Sequence, residues 1–119
     1  MIKYYPETDT LHITLSDGIS TATDEVFENV LFNFNSEGKV ISITIDPAGD
    51  LVDIAELRFK AVYQPEHDLL NITLTEKPST ETREVIENVV FDFDASGKIV
   101  KIEIEHASEM VDIEAMELM

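Results

Sequence analysis

The sharpest arrangement of potential ligands is Asp92-Phe93-Asp94-Ala95-Ser96-Gly97-Lys98-Ile99-Val100-Lys101-Ile102-Glu103. It fits the twelve-residue calcium-loop template, with oxygen donors at the first, third and fifth places, glycine at the sixth, an apolar eighth residue and a glutamate at the twelfth. The flanks speak against an EF-hand, because they alternate apolar and polar residues with period two, as strands do, where that motif needs helices. In an extended segment, Glu103 lies roughly 20 Å along the strand from the turn at about 3.3 Å per residue, and does not fold back to chelate. The reading preferred here is an acidic hairpin turn. A weak cation site confined to Asp92, Asp94 and Ser96 is the lesser alternative, and no cofactor is expected.

Other carboxylates and histidines offer less. Glu7 with Asp9, and Glu66 with Asp68, are spaced like acid and base partners, yet each pair sits in a proline turn. Useful carboxylate pairs owe their altered proton affinity to burial or forced proximity, and proline turns are normally wet. Turn-forming roles are expected, and no catalytic residue is assigned. His12, His67 and His106 stand where the other half of the chain has Asn71, Thr8 and Pro47. None has a second histidine at ligand spacing and the chain has no cysteine, so no zinc site is expected. With four glycines in all, there is no glycine-rich loop to cradle phosphate.

The elements that carry these residues are hairpins. Val30, Phe32 and Phe34 alternate with other residues, Asn35 to Lys39 interrupts, and Ile41, Ile43 and Ile45 alternate with Ser42, Thr44 and Asp46. A glycine just before the return strand supplies the positive φ that a short loop needs. Val89, Phe91 and Phe93, the turn around Gly97, and Val100, Ile102 and Ile104 repeat the arrangement. Upstream, Ile2 to Tyr5 and Arg58 to Tyr63 read as short strands, and Leu11 to Leu15 and Leu70 to Leu74 as second strands after the proline turns. Thr23 to Asn35 and Thr82 to Asp94 are each long enough for two short strands or one bent strand. Asp50 is placed to cap a helix over Leu51 to Leu57, and Ser108 one over Glu109 to Met116, although Leu51 to Ile54 reads equally as the start of a strand.

The correspondence is systematic. A single offset of 59 residues carries Pro6 onto Pro65 and, from Tyr4 to Ile54, leaves about half the positions identical without a gap. This is a tandem duplication, with a first repeat over 1–57 and a second over 58–119. The expected fold class is α+β: two homologous antiparallel β-meander units, each ending in a short helix, packed as a pseudo-twofold pair, the fused counterpart of a homodimer. Phe27, Leu31 and Ile86 fall out of phase with the core faces, and Met110, Met116, Leu118 and Met119 form an apolar C-terminal group; packing between the repeats or a partner-binding patch accounts for both.

Composition narrows the function classes. Twenty-five Asp and Glu against eight Lys and Arg give a formal net charge of −17. Phosphate neutralisation needs clustered cations, so nucleic-acid and anionic-membrane surfaces are disfavoured while a basic protein partner is not. The hydrophobic fraction of 44% and its strict patterning argue against disorder. No apolar run approaches the roughly 20 residues of a membrane-spanning helix, and nothing at the start reads as a signal peptide. The absence of cysteine suits a reducing cytoplasm.

Tyr4-Tyr5-Pro6-Glu7-Thr8-Asp9-Thr10-Leu11-His12-Ile13-Thr14-Leu15 followed by Val30 to Ile45, and again Tyr63 to Leu74 followed by Val89 to Ile104, resembles the bacterial and archaeal domain-of-unknown-function family 2283. The resemblance covers nearly the whole chain. It implies small β-meander domains with a terminal helix and carries no established activity or catalytic residue. Some members are encoded beside small toxin-like proteins, which implies an antitoxin or accessory role. This chain departs from the usual single-copy form by holding two units. Together these readings lead to a non-enzymatic, cytoplasmic protein-binding module, monomeric as a fused pair or homo-oligomeric. An enzyme using acidic residues between the repeats and a weak divalent-cation module are the alternatives.

Overall fold

A computed structural model describes residues 1–116. The chain forms two compact units, the first built from residues 1–48 with 108–116, the second from 49–107. These contact units are bounded differently from the sequence repeats. Each contains one five-stranded antiparallel sheet.

The first sheet comprises β1 (Ile2–Tyr5), β2 (Thr10–Thr14), β3 (Ala22–Phe27), β4 (Val30–Phe34) and β5 (Val40–Ile45), in the order β1-β2-β5-β4-β3. The second comprises β6 (Lys60–Gln64), β7 (Leu69–Thr73), β8 (Glu81–Ile86), β9 (Val89–Phe93) and β10 (Ile99–Glu105), in the order β6-β7-β10-β9-β8. The two glycine hairpins are present as expected, with Gly38 at φ 78° and Gly97 at φ 82°. The segment before each hairpin is two strands, not one bent strand. They are joined through Asn29 and Asn88, whose φ values of 66° and 70° lie in the left-handed region that asparagine tolerates better than most residues.

The fold departs from the expected running meander. After β2 the chain crosses the end of the sheet, its Leu15 and Ser16 amides donating to the Ile41 carbonyl at 2.9 and 3.2 Å and Thr21 to Phe34 at 2.8 Å, and enters the far edge as β3. The physical reason is burial: β5 carries Val40, Ile41, Ile43 and Ile45 and β10 carries Ile99, Val100, Ile102 and Ile104, all buried, and the crossover places each strand between two neighbours, so both of its edges are paired. Leu11, Ile13, Val30, Phe32, Ile43 and Ile45, and their counterparts Leu70, Ile72, Val89, Phe91, Ile102 and Ile104, are fully buried. At about 25 cal/mol per Å² of apolar surface, this burial is the main term stabilising each sheet.

The expected terminal helices are corrected to isolated turns, so the protein is mostly β. In place of a helix over Leu51 to Leu57 there are 3-10 turns at Ala48–Asp50 and Ile54–Glu56; in place of one over Glu109 to Met116 there are a single α turn, α1 (Ala107–Met110), and a 3-10 turn at Ile113–Ala115. The carbonyls that a helix would use internally are spent on the sheets. Leu51 accepts from the Ile99 amide at 2.7 Å, Gly49 from Lys98 Nζ at 2.7 Å, and Ser108 and Glu109 from Lys39 Nζ at 3.1 Å each. Asp53, at the N-cap of its turn, makes no capping bond and pairs with Lys77 instead. Met110 and Met116 are half-buried, as are Phe27, Leu31 and Ile86; Leu118 and Met119 lie outside the described residues. Among the described residues, no helix is long and apolar enough to cross a membrane.

Candidate functional site

The turn residues that recur at the 59-residue offset have structural work in both copies. Tyr4 Oη donates to Asp9 Oδ1 at 2.6 Å, and Tyr63 Oη to Asp68 Oδ1 at the same distance. Asp9 and Asp68 sit at φ 55° and 49°, and their carbonyls accept the Ala48 and Ala107 amides at 2.7 and 2.9 Å. The tyrosine bond therefore holds a strained aspartate that ties the end of the central strand back to the proline turn. Both tyrosines are raised above their ordinary pKa, first by this hydrogen bond, then by burial and by the aspartate charge. Glu7 and Glu66 are exposed on the turns.

Asp94 closes its hairpin. Its Oδ1 accepts the Ser96 amide at 2.8 Å and the Lys98 amide at 3.0 Å, as Asn35 Oδ1 accepts Glu37 and Lys39 at 2.9 and 3.0 Å in the first sheet. This is the side-chain-to-backbone turn that Asp and Asn share. Asp92 is two residues earlier, within β9, with its carboxylate turned to the neighbouring strands, and Ser96 is exposed. Thus the three candidate turn ligands serve separate purposes. Among the described residues no group of three or more His, Cys, Asp or Glu side chains is placed to hold a metal ion. His12 lies on the polar face of β2 with Nδ1 3.2 Å from Thr44 Oγ1, while His67 and His106 are exposed.

What the sequence did not disclose is where the side chain of Asp92 goes. Lys101 stands opposite Asp92 and Glu103 opposite Val90, so the two carboxyl groups are diagonal neighbours on one face of the β9 and β10 pair. Asp92 is only 5% exposed; Thr82 Oγ1 donates to its Oδ1 at 2.7 Å, and the Glu103 carboxyl stands on the diagonal from it, where a hydrogen bond between the two counts among the causes of the raised Glu103 value. Burial, this bond and the Asp92 charge together push Glu103 up to about 7, against a smaller opposing pull from Lys101 and with a slight addition from Glu105. A carboxyl of that affinity is protonated through much of the range below neutral pH.

The equivalent positions of the first sheet carry a neutral network. Thr23 Oγ1 donates to Asn33 Oδ1 at 2.9 Å, Asn33 Nδ2 donates to Ser42 Oγ at 2.9 Å and Thr44 Oγ1 at 3.2 Å, and Thr44 meets His12. Asn33, Ser42 and Thr44 correspond to Asp92, Lys101 and Glu103. The copies keep their cores and differ in the chemistry of this face. Chemically, the second face can bind and release a proton. Two shallow grooves of its unit are lined by Glu56, Arg58, Glu76, Lys77 and Pro78, and by Lys77, Pro78, Thr80, Asp94, Ala95 and Ser96. The carboxyl pair lines neither, so it faces no enclosed substrate space there.

The domain-of-unknown-function family 2283, described as a protein of unknown function (DUF2283), matches residues 1–48 and 60–108. The chain belongs to this family, in two tandem copies, each spanning one five-stranded sheet. No curated protein and no solved structure matches the chain.

Proposed function

We propose that this protein is a non-enzymatic, acidic binding module that holds a basic protein partner, in the manner of an antitoxin or accessory subunit. The observation that carries the reading is the repeated placement of carboxylates along the exposed edge strands. Asp24 and Glu25 lie on β3 with Glu28 in the turn beyond it, and Glu81 and Glu84 lie on β8 with Glu87 in the equivalent turn; all six are exposed. Glu25 and Glu84 also accept the Asn29 and Asn88 amides at 2.9 and 3.3 Å, which holds them close to the strand end. The one cation on these edges, Arg83, is paired with Glu81 at 2.7 Å and stacks 5.0 Å from the Phe93 ring centroid.

Charged edges protect a sheet from pairing with its own kind, and the same carboxylates attract a cationic surface over roughly a Debye length. The reading also takes the two copies as the fused equivalent of a homodimer working in the cytoplasm, without nucleic acid or membrane as partner. Its test is retention of basic proteins from native extract on the immobilised chain at about 50 mM salt and their release at about 500 mM, followed by titration with the purified partner. Reversing Glu25, Glu28, Glu84 and Glu87 to lysine is expected to weaken that binding at least tenfold, mainly through slower association. A failure to retain any basic protein, or binding indifferent to both salt and charge reversal, overturns the proposal.

A further inference from the structure

We propose that the polar face of the second sheet is a proton-operated latch: Asp92 on β9 and Glu103 on β10 hold one proton between them, and its loss loosens β8, β9 and β10 while leaving the first sheet unaffected. The geometry is carried by the duplication. In the first sheet the same two positions, Asn33 and Thr44, are joined side chain to side chain at 3.2 Å, which shows that this diagonal is within hydrogen-bonding reach across the hairpin. In the second sheet both positions are carboxyl groups, so the bond exists only while one of them is protonated; with both ionised, two acceptors face each other and nothing donates between them.

The surroundings favour keeping the proton. On β10, Lys101 and Glu105 flank Glu103 on the same face, one cation and one anion. From β9 comes Asp92 itself, and from β8 come Thr82, whose hydroxyl is already given to Asp92, and Glu84 opposite Val90. Strand β7 presents Asn71 opposite Glu103, Thr73 opposite Lys101 and Leu69 opposite Glu105, none of them titratable, and Lys60 lies one strand further out opposite Thr73. Full ionisation therefore sets Asp92, Glu103, Glu84 and Glu105 against Lys101 and the more distant Lys60. Burial and these neighbours raise Glu103 from its ordinary 4.5 to about 7. Because the folded value lies above the unfolded one, the stabilisation is complete below about 4.5 and is lost as pH rises through about 7.

The test uses the full chain. Side-chain carboxyl carbon shifts, melting temperature and amide hydrogen exchange are followed from about pH 4.5 to about pH 8. Glu103 is expected to titrate with a midpoint near 7, the melting temperature to fall across that window, and exchange to quicken in β8 to β10 but not in β3 to β5 once the intrinsic pH dependence of exchange is removed. Glu103→Gln is expected to flatten the melting-temperature slope between about pH 5.5 and 8, and Asp92→Asn to lower the Glu103 midpoint while burial, the largest cause, still holds it above the usual carboxylate range. A Glu103 midpoint below about 5.5 in the unmodified protein, which does not depend on any variant folding, overturns the proposal. So does a Glu103→Gln variant with the original slope.

Discussion

Lys98 donates from Nζ to the Gly49 carbonyl at 2.7 Å, and 59 residues earlier Lys39 donates to the carbonyl of Ser108, which itself stands 59 residues after Gly49. The lysine that follows each turn glycine is thus an anchor for an irregular segment, and its place in the motif is explained by that bond. Because Lys98 is half-buried and the bond is charge-assisted, Lys98→Met is expected to destabilise by about 1.5 kcal/mol, and Lys39→Met, at an exposed bond, by less. Urea unfolding measures both. Faster exchange of the Ile99 amide, which is bonded to Leu51 beside the anchor, identifies loosening of the segment as the cause in the Lys98 variant.

Removing either motif tyrosine hydroxyl takes one hydrogen bond from a positive-φ aspartate. Tyr4→Phe and Tyr63→Phe are each expected to lower the midpoint of chemical unfolding. In ultraviolet titration the unmodified protein is expected to show Tyr4 and Tyr63 ionising above 10, the ordinary value, and each Phe variant to lose one of those two transitions. Since both folded values are raised, the associated stability is intact below pH 10 and declines as pH climbs through the folded values.

Gly97 has open space around the site of an added Cβ, so backbone conformation alone sets the cost of substitution there. At φ 82°, Gly97→Ala is expected to destabilise by about 1–2 kcal/mol, with Gly97→Asn clearly milder because asparagine tolerates the left-handed region. Equal losses for the two variants in thermal or urea unfolding would refute this account of the turn.

A net charge of −17 on a chain of this size repels itself. Raising sodium chloride from about 50 mM to about 500 mM is expected to lift the melting temperature by several degrees, as screening shortens the reach of that repulsion. A calorimetric scan showing an unchanged or lower transition contradicts it.

The hairpins were legible because period-two alternation and a turn glycine are local signals, present twice. Strand order was not, since the crossover from β2 to the far edge depends on which strand most needs two neighbours, a property of the assembled sheet. The terminal helices failed for a related reason: Asp50 and Ser108 are acceptable caps, but the carbonyls behind them are taken by Lys98, Lys39 and Ile99. The Asp92 and Glu103 pair was concealed by a bulge. Phe93 pairs with Ile99, yet Asp92 pairs with Lys101, so Val100 is the extra residue. A signal was available in the adjacent apolar residues Ile99 and Val100, which break the alternation. Without a bulge, Phe91 would oppose Lys101 and Asp92 would oppose Val100, mixing core and polar faces.

The assignment of residues 49–57 to the second unit bears on how the protein is dissected. A cut drawn where the sequence begins to repeat itself, near residue 58, strips the second sheet of the Gly49 carbonyl that Lys98 grips, the Leu51 carbonyl that Ile99 grips and the carboxylate of Asp53 that Lys77 grips. The fragment boundary that respects those bonds falls nine residues earlier, after Ala48, where the first family match also ends.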